Sequence, residues 1–98
     1  MAEYVFEWDP AKAESNVRKH GVTFEEASRV FADPLLKSIY DEDHSSPGDE
    51  RWVTLGMSRG FLLVVVHTFV EHLSIVTVRI ISARHAMRNE RRSYEEFS

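Results

Sequence analysis

The chain has 98 residues, a formal net charge of −4, 43% hydrophobic residues and 29% charged ones. That suits one domain over residues 1–98 with a modest core, and it argues against global disorder. Cysteine is absent, which excludes disulfides, thiolate nucleophiles, iron–sulfur clusters and Cys-type zinc sites, and the longest apolar run, residues 61–66, is too short to span a bilayer.

Residues 4–8 alternate enough for a short edge strand. Asp9 can cap a helix that starts at Pro10, and Gly21 suits the position after its end, so residues 10–20 read as a helix with a thin apolar stripe of Ala13, Val17 and His20. Thr23 with Glu26 forms a capping box for a second helix over 23–32. Its apolar face is Phe24, Ala27, Val30 and Phe31, and Asp33-Pro34 ends it. Residues 35–41 read as a strand, and 41–50 as an acidic loop turning at Pro47-Gly48. Strands follow over 51–58, 61–69 and 73–82, with turns at 58–60 and 71–72. A basic helix over 84–97, sharing a face among Met87, Arg91, Tyr94 and Phe97, closes the chain; its N-terminus beside Arg84 offers free amides to an anion, and the competing reading is that Ser82 simply caps it. The expected class is α+β: four main strands of a small antiparallel sheet plus a short N-terminal strand, with the helices on one face.

Charge is uneven. Residues 1–50 hold five Lys/Arg and twelve Asp/Glu, a net of −7, whereas residues 51–98 hold seven arginines and four acids, a net of +3. The halves can neutralise each other across the fold, or the arginines can form a local anion site, since charge acts within a Debye length of about 8–10 Å. Alternation puts Ile75, Thr77, Arg79 and Ile81 on one face of the last strand, with Val76, Val78, Ile80 and Ser82 on the other. Arg51, His67 and Arg79 would converge on a phosphate if they share the open sheet face. The competing readings are an acid partner for Arg79 and a half-buried core position for His67. Arg88, Arg91 and Arg92 can equally form a solvated helix face. The five histidines include no His-x-x-x-His pair, and the four glycines form no phosphate loop, so no metal or cofactor is expected.

Several stretches together resemble the BrnT family, the toxin half of BrnT–BrnA type II toxin–antitoxin modules. They are Phe6-Glu7-Trp8-Asp9 with Lys12 and Asn16, Lys19-His20-Gly21-Val22, Phe24-Glu25-Glu26-Ala27, and Val30-Phe31 with Asp33-Pro34. Glu50-Arg51, Leu55-Gly56, and Ile80-Ile81-Ser82-Ala83-Arg84 with Ala86, Glu90-Arg91 and Tyr94 complete the match, which covers almost the whole chain. Met87 departs from the family's usual Thr or Ser. The resemblance implies a RelE-like fold and a ribonuclease that arrests growth by cutting RNA. It also implies a BrnA-like antitoxin partner, with a ribbon-helix-helix part through which the hetero-oligomer binds operator DNA.

A ribonuclease without a metal would use the RNA's 2′-hydroxyl as nucleophile, which requires a proton acceptor, a proton donor and cations for the phosphorane charge. Arg51, Arg79 and Arg84 are candidates for the cations. His20, Glu50, His67 and Tyr94 are the acid–base candidates, with His20 and Glu50 favoured because they fall in matched motifs. Lys19, Arg88 and Arg91 are candidate RNA contacts. The alternative is a catalytically silent module that only binds a protein partner, using the basic last helix and exposed Trp8 and Trp52. The leading ten residues hold acids and no base, unlike a secretory leader, so a cytoplasmic location is expected.

Overall fold

The computed structural model describes residues 3–96. Its elements run β1 (Glu3–Trp8), α1 (Pro10–His20), α2 (Phe24–Ser28), a 3-10 helix (Arg29–Ala32), β2 (Lys37–Tyr40), β3 (Trp52–Ser58), β4 (Phe61–His72), β5 (Ile75–His85) and α3 (Arg88–Glu95). The five strands form one sheet in the order β1-β5-β4-β3-β2. No helix among the described residues is long and apolar enough to cross a membrane.

The helix starts follow from their caps. The Asp9 carboxylate accepts from the Ala11 N–H at 2.8 Å, and Gly21 ends α1 at φ 69°. Thr23 and Glu26 satisfy each other's backbone donors at 3.0 and 2.9 Å, which completes the capping box. The expected helix over 23–32 is α-helical only to Ser28 and tightens into the 3-10 turn beyond it.

The sheet is not wholly antiparallel. β2 to β5 form an antiparallel meander, but β1 pairs parallel to β5, with Glu3 opposite Ile75 and Trp8 opposite Ile80. A parallel neighbour needs a long crossover. Here the chain leaves β1 at one edge, crosses a sheet face as α1, α2 and the 3-10 helix, enters β2 at the other edge, and meanders back. That crossover buries Val22, Phe24, Ala27 and Val30 against Leu63, Val65, Val76, Val78 and Ile80. Each of these buried side chains larger than alanine contributes about 1.5–3 kcal/mol by leaving water.

The helices do not share one face. α3 packs on the opposite side, where Tyr94 meets Leu55, Leu62 and Val64. β4 serves both cores by alternation. The last helix also starts later than residue 84, because β5 runs on to His85; Ser82 is therefore a strand residue and caps nothing. β4 likewise continues to His72, and the turn falls at Leu73-Ser74. Phe97, expected on the last helix, lies outside the described residues.

Gly56 marks where the 3-10 helix presses on β3. A Cβ there would lie 3.0 Å from both Cβ and the carbonyl oxygen of Val30. A backbone oxygen cannot swing away, so Gly56→Ala should lose about 1–3 kcal/mol of stability, measured by urea denaturation.

Candidate functional site on the open sheet face

α3 covers only one end of its sheet face. Farther along, Thr68 is half-buried and Val70 exposed, and the face opens to solvent. A cleft of about 550 Å³ lies there, lined by Lys12, Glu50, Arg51, Thr68, Arg79 and Ile81 among others.

Three pieces of local structure bring these residues together. The first is a β-bulge. Val66 pairs with Ser82 but His67 pairs with Ile80, so Ile81 is an extra residue in β5. A bulge resets which side chains share a face. Arg79, opposite Thr68, and Ser82, opposite Val66, therefore lie on the same face, which strict alternation forbids.

The second is Asn16, 4% exposed inside α1. Its Oδ1 accepts from the Ala83 N–H at 3.0 Å, and its Nδ2 donates to the carbonyls of Ala83 at 2.8 Å and Val22 at 2.9 Å. β1 stops opposite Ile80, so this amide takes the place of a strand neighbour for Ala83 and holds α1 at the sheet edge. Lys12, one turn earlier, then reaches the cleft.

The third is the acidic loop. Ser45 Oγ donates to the Asp41 carbonyl and accepts from the Arg51 N–H at 2.8 Å, and Ser46 and Asp49 exchange two backbone hydrogen bonds. These bonds fix the approach of Glu50 and Arg51 to β3.

Both cleft arginines are loosely held. Arg79 stands 3.6 Å from Glu7 with each side chain about half exposed, and Arg51 stands 3.5 Å from Asp49. Such pairs are worth about 0–1 kcal/mol, and an anion can displace them. Arg51 Nε is buried with no hydrogen-bond acceptor, so the protein leaves this guanidinium partly unsatisfied.

The other expected site residues lie elsewhere. His20 and Lys19 line a second pocket of about 250 Å³ with Lys12 and Ser82. Arg84 makes a bidentate pair with Glu90 at 2.8 and 2.7 Å. The Glu90 hydrogen bonds push the Arg84 pKa up, and Arg84 in turn lowers that of Glu90. Glu90 Oε1 also accepts from the Met87 N–H at 2.8 Å, so the pair anchors the start of α3. Tyr94 is 8% exposed and donates to Asp33 Oδ2 at 2.5 Å. That bond, with burial, pushes its hydroxyl up to about 12. Burial opposes ionisation of Asp33, but the bonds from Tyr94, Met57 and Leu35 prevail and hold its carboxyl low. Arg88 and Arg91 are exposed on α3.

His67 does not join Arg51 and Arg79. It is 2% exposed, on the opposite face, with its ring edge-on to Phe31. Nδ1 donates to the Thr68 carbonyl at 3.3 Å, so Nε2 accepts from Thr54 at 2.6 Å, and Ser38 bonds Thr54 in turn at 2.7 Å. Burial lowers the His67 pKa to about 4 from 6.5, so the folded protein holds it neutral. The unfolded chain takes up the proton first as pH falls. Stability from this group is complete above pH 6.5 and should drop by about 3 kcal/mol by pH 4, a drop that His67→Gln would shrink in denaturation curves across that range. Trp8 and Trp52 are half-buried rather than exposed, Trp8 against Phe24 and Trp52 between Tyr40 and Phe69.

Lys12 and Thr68 are cleft residues that sequence reasoning did not place in the site. Lys12 had a usable signal, since it stands seven and eight residues before Lys19 and His20 and so shares their helix face. Among the described residues, no group of three or more His, Cys, Asp or Glu side chains is arranged to hold a metal ion.

A family model described as ribonuclease toxin, BrnT, of type II toxin-antitoxin system matches residues 8–90. A search of curated proteins gives no match. The family match spans every cleft residue from Lys12 to Ile81.

Proposed function

Because the chain belongs to the BrnT family of ribonuclease toxins of type II toxin–antitoxin systems, we propose that it cuts RNA in the cleft of Lys12, Glu50, Arg51 and Arg79. The observation that carries this reading is the gathering of two displaceable guanidinium groups, the carboxylates of Asp49 and Glu50 and the ammonium of Lys12 in one open cleft.

In the proposed reaction, Glu50 accepts the proton of the RNA 2′-hydroxyl. The 2′-oxygen forms a bond to the adjacent phosphorus as the bond to the 5′-oxygen breaks. Lys12 gives a proton to that leaving oxygen. Arg51 and Arg79 bind the non-bridging oxygens and stabilise the charge of the phosphorane. The products are a 2′,3′-cyclic phosphate and a 5′-hydroxyl. Arg84 and Tyr94 act in this scheme by holding α3, and His20 is not the proton acceptor.

We further propose that the fold is RelE-like. The resemblance supports a BrnA-like antitoxin as partner, with a ribbon-helix-helix part that carries the complex to operator DNA, and growth arrest when the toxin is free. The reading of a silent binding module draws support from an apolar groove of about 300 Å³ on the opposite face, lined by Tyr4, Phe31, Trp52 and Phe69.

The test is end-labelled RNA incubated with purified protein in excess EDTA. Fragments ending in cyclic phosphate are expected. Cleavage that requires an added metal, or leaves a 5′-phosphate, would overturn the mechanism; intact RNA would favour the binding module.

A further inference from the structure

We propose that the pocket between α1 and the bulged stretch of β5 is a second phosphate subsite. A single RNA strand would run from the Arg51–Arg79 cleft across Lys12 and Ile81 to Lys19 and His20. This inference rests on the ribonuclease reading and adds the path of the substrate.

The helix period makes the pocket. Lys12, Ser15, Asn16, Lys19 and His20 stand at i, i+3, i+4, i+7 and i+8, so α1 turns them all toward Ile81 and Ser82 of β5. The one ion pair within α1, Glu14 with Arg18, involves neither pocket lysine. No acidic side chain lines the pocket, and among the described residues no ion pair engages Lys12, Lys19 or His20.

The position of Lys12 argues against a purely local role. Cations stabilise a helix near its C-terminus and not in its first turn, where the dipole is positive. Lys19 and His20, in the last turn, fit that rule without any ligand. Lys12, third residue of α1 in a first turn without acids, contradicts it. An anion between Lys12 and the sheet accounts for it.

The two pockets are continuous. Lys12 and Ile81 line both. The bulge puts Ser82 on the face of Arg79, and three residues of strand span about 10 Å, so Arg79 and the place where Ser82 meets the α1 cations Lys19 and His20 follow one another along β5 at a spacing that suits a polyanion. A mononucleotide or free phosphate would fill one pocket only. A strand with a phosphate at each nucleotide fills both, with the apolar Ile81 beneath the sugar or base between them.

The experiment uses 2′-O-methyl oligonucleotides of mixed sequence, which lack the nucleophile and are not cut. Fluorescence anisotropy gives affinity and its salt dependence for a dinucleotide and an octanucleotide. The proteins are wild type, the double variant Lys19→Ala/His20→Ala and the double variant Arg51→Ala/Arg79→Ala, all checked for folding by circular dichroism. For Lys19→Ala/His20→Ala, octanucleotide affinity should fall several-fold and the logarithmic salt slope should shrink by about 0.7 per lost phosphate contact, with dinucleotide binding unchanged. A change confined to the arginine variant would overturn the subsite and leave the cleft standing. Octanucleotide binding indifferent to both variants would overturn the cleft as well.

Discussion

Arg79→Ala should lower the single-turnover rate of RNA cleavage by about a hundred- to a thousand-fold, the usual cost of removing one preorganised donor from a developing oxyanion. Arg51→Ala should do the same. The loss belongs to the chemical step, because a guanidinium fork gains most from a phosphorane whose non-bridging oxygens carry added charge. Arg79→Lys keeps the charge and loses the fork, so it should recover only part of the rate. Folding is not at risk: the pairs of Arg79 with Glu7 and of Arg51 with Asp49 are each worth no more than about 1 kcal/mol. Thermal melting of both alanine variants should therefore stay close to wild type.

The largest stability effect is expected at Asn16. Its buried amide satisfies one N–H and two carbonyls, on β5 and on the loop that follows α1. Asn16→Ala leaves all three without partners, at about 1–3 kcal/mol for each unsatisfied group, so a total loss on the order of 3–5 kcal/mol is expected after partial relaxation. That is a large part of the stability of a domain this size. Asn16→Asp should be no better, since a carboxylate has no N–H to donate and would face two carbonyl oxygens. The urea midpoint reports the loss; a change below about 1 kcal/mol would mean α1 is held by other contacts. Where either variant still folds, its cleavage should fall too, because Asn16 holds α1, and with it Lys12, against β5.

Local signals in the sequence predicted local structure well. Asp9, Gly21, the Thr23–Glu26 box and the Ser58–Gly60 turn each act through bonds within a few residues, and each lies where its chemistry requires. At that turn Arg59 and Gly60 both have positive φ, as a tight hairpin between twisted strands demands. Non-local features left no such mark. Nothing in residues 4–8 tells which strand they join or in which direction. Nor does alternation reveal the extra residue at Ile81, and one residue is enough to move Ser82 and Arg84 to the other face. Arg84 reads as a free cation until Glu90, six residues on, is seen to hold it. The same holds for the candidate site. Arg51, Arg79 and Glu50 were legible as residue types, and the structure gathers them in one cleft. Lys12 joins them only because Asn16 docks its helix on β5, a contact 67 residues apart in sequence.

The most direct test of the account is one single-turnover assay on one RNA, run with wild type, Arg79→Ala and Tyr94→Phe under conditions where all three are folded. The cleft account predicts that Arg79→Ala loses at least about a hundredfold in rate, whereas Tyr94→Phe stays within a few-fold of wild type, because the tyrosine hydroxyl is buried on Asp33. Loss of cleavage in Tyr94→Phe, with Arg79→Ala unaffected, would place the chemistry beside α3 and contradict the account.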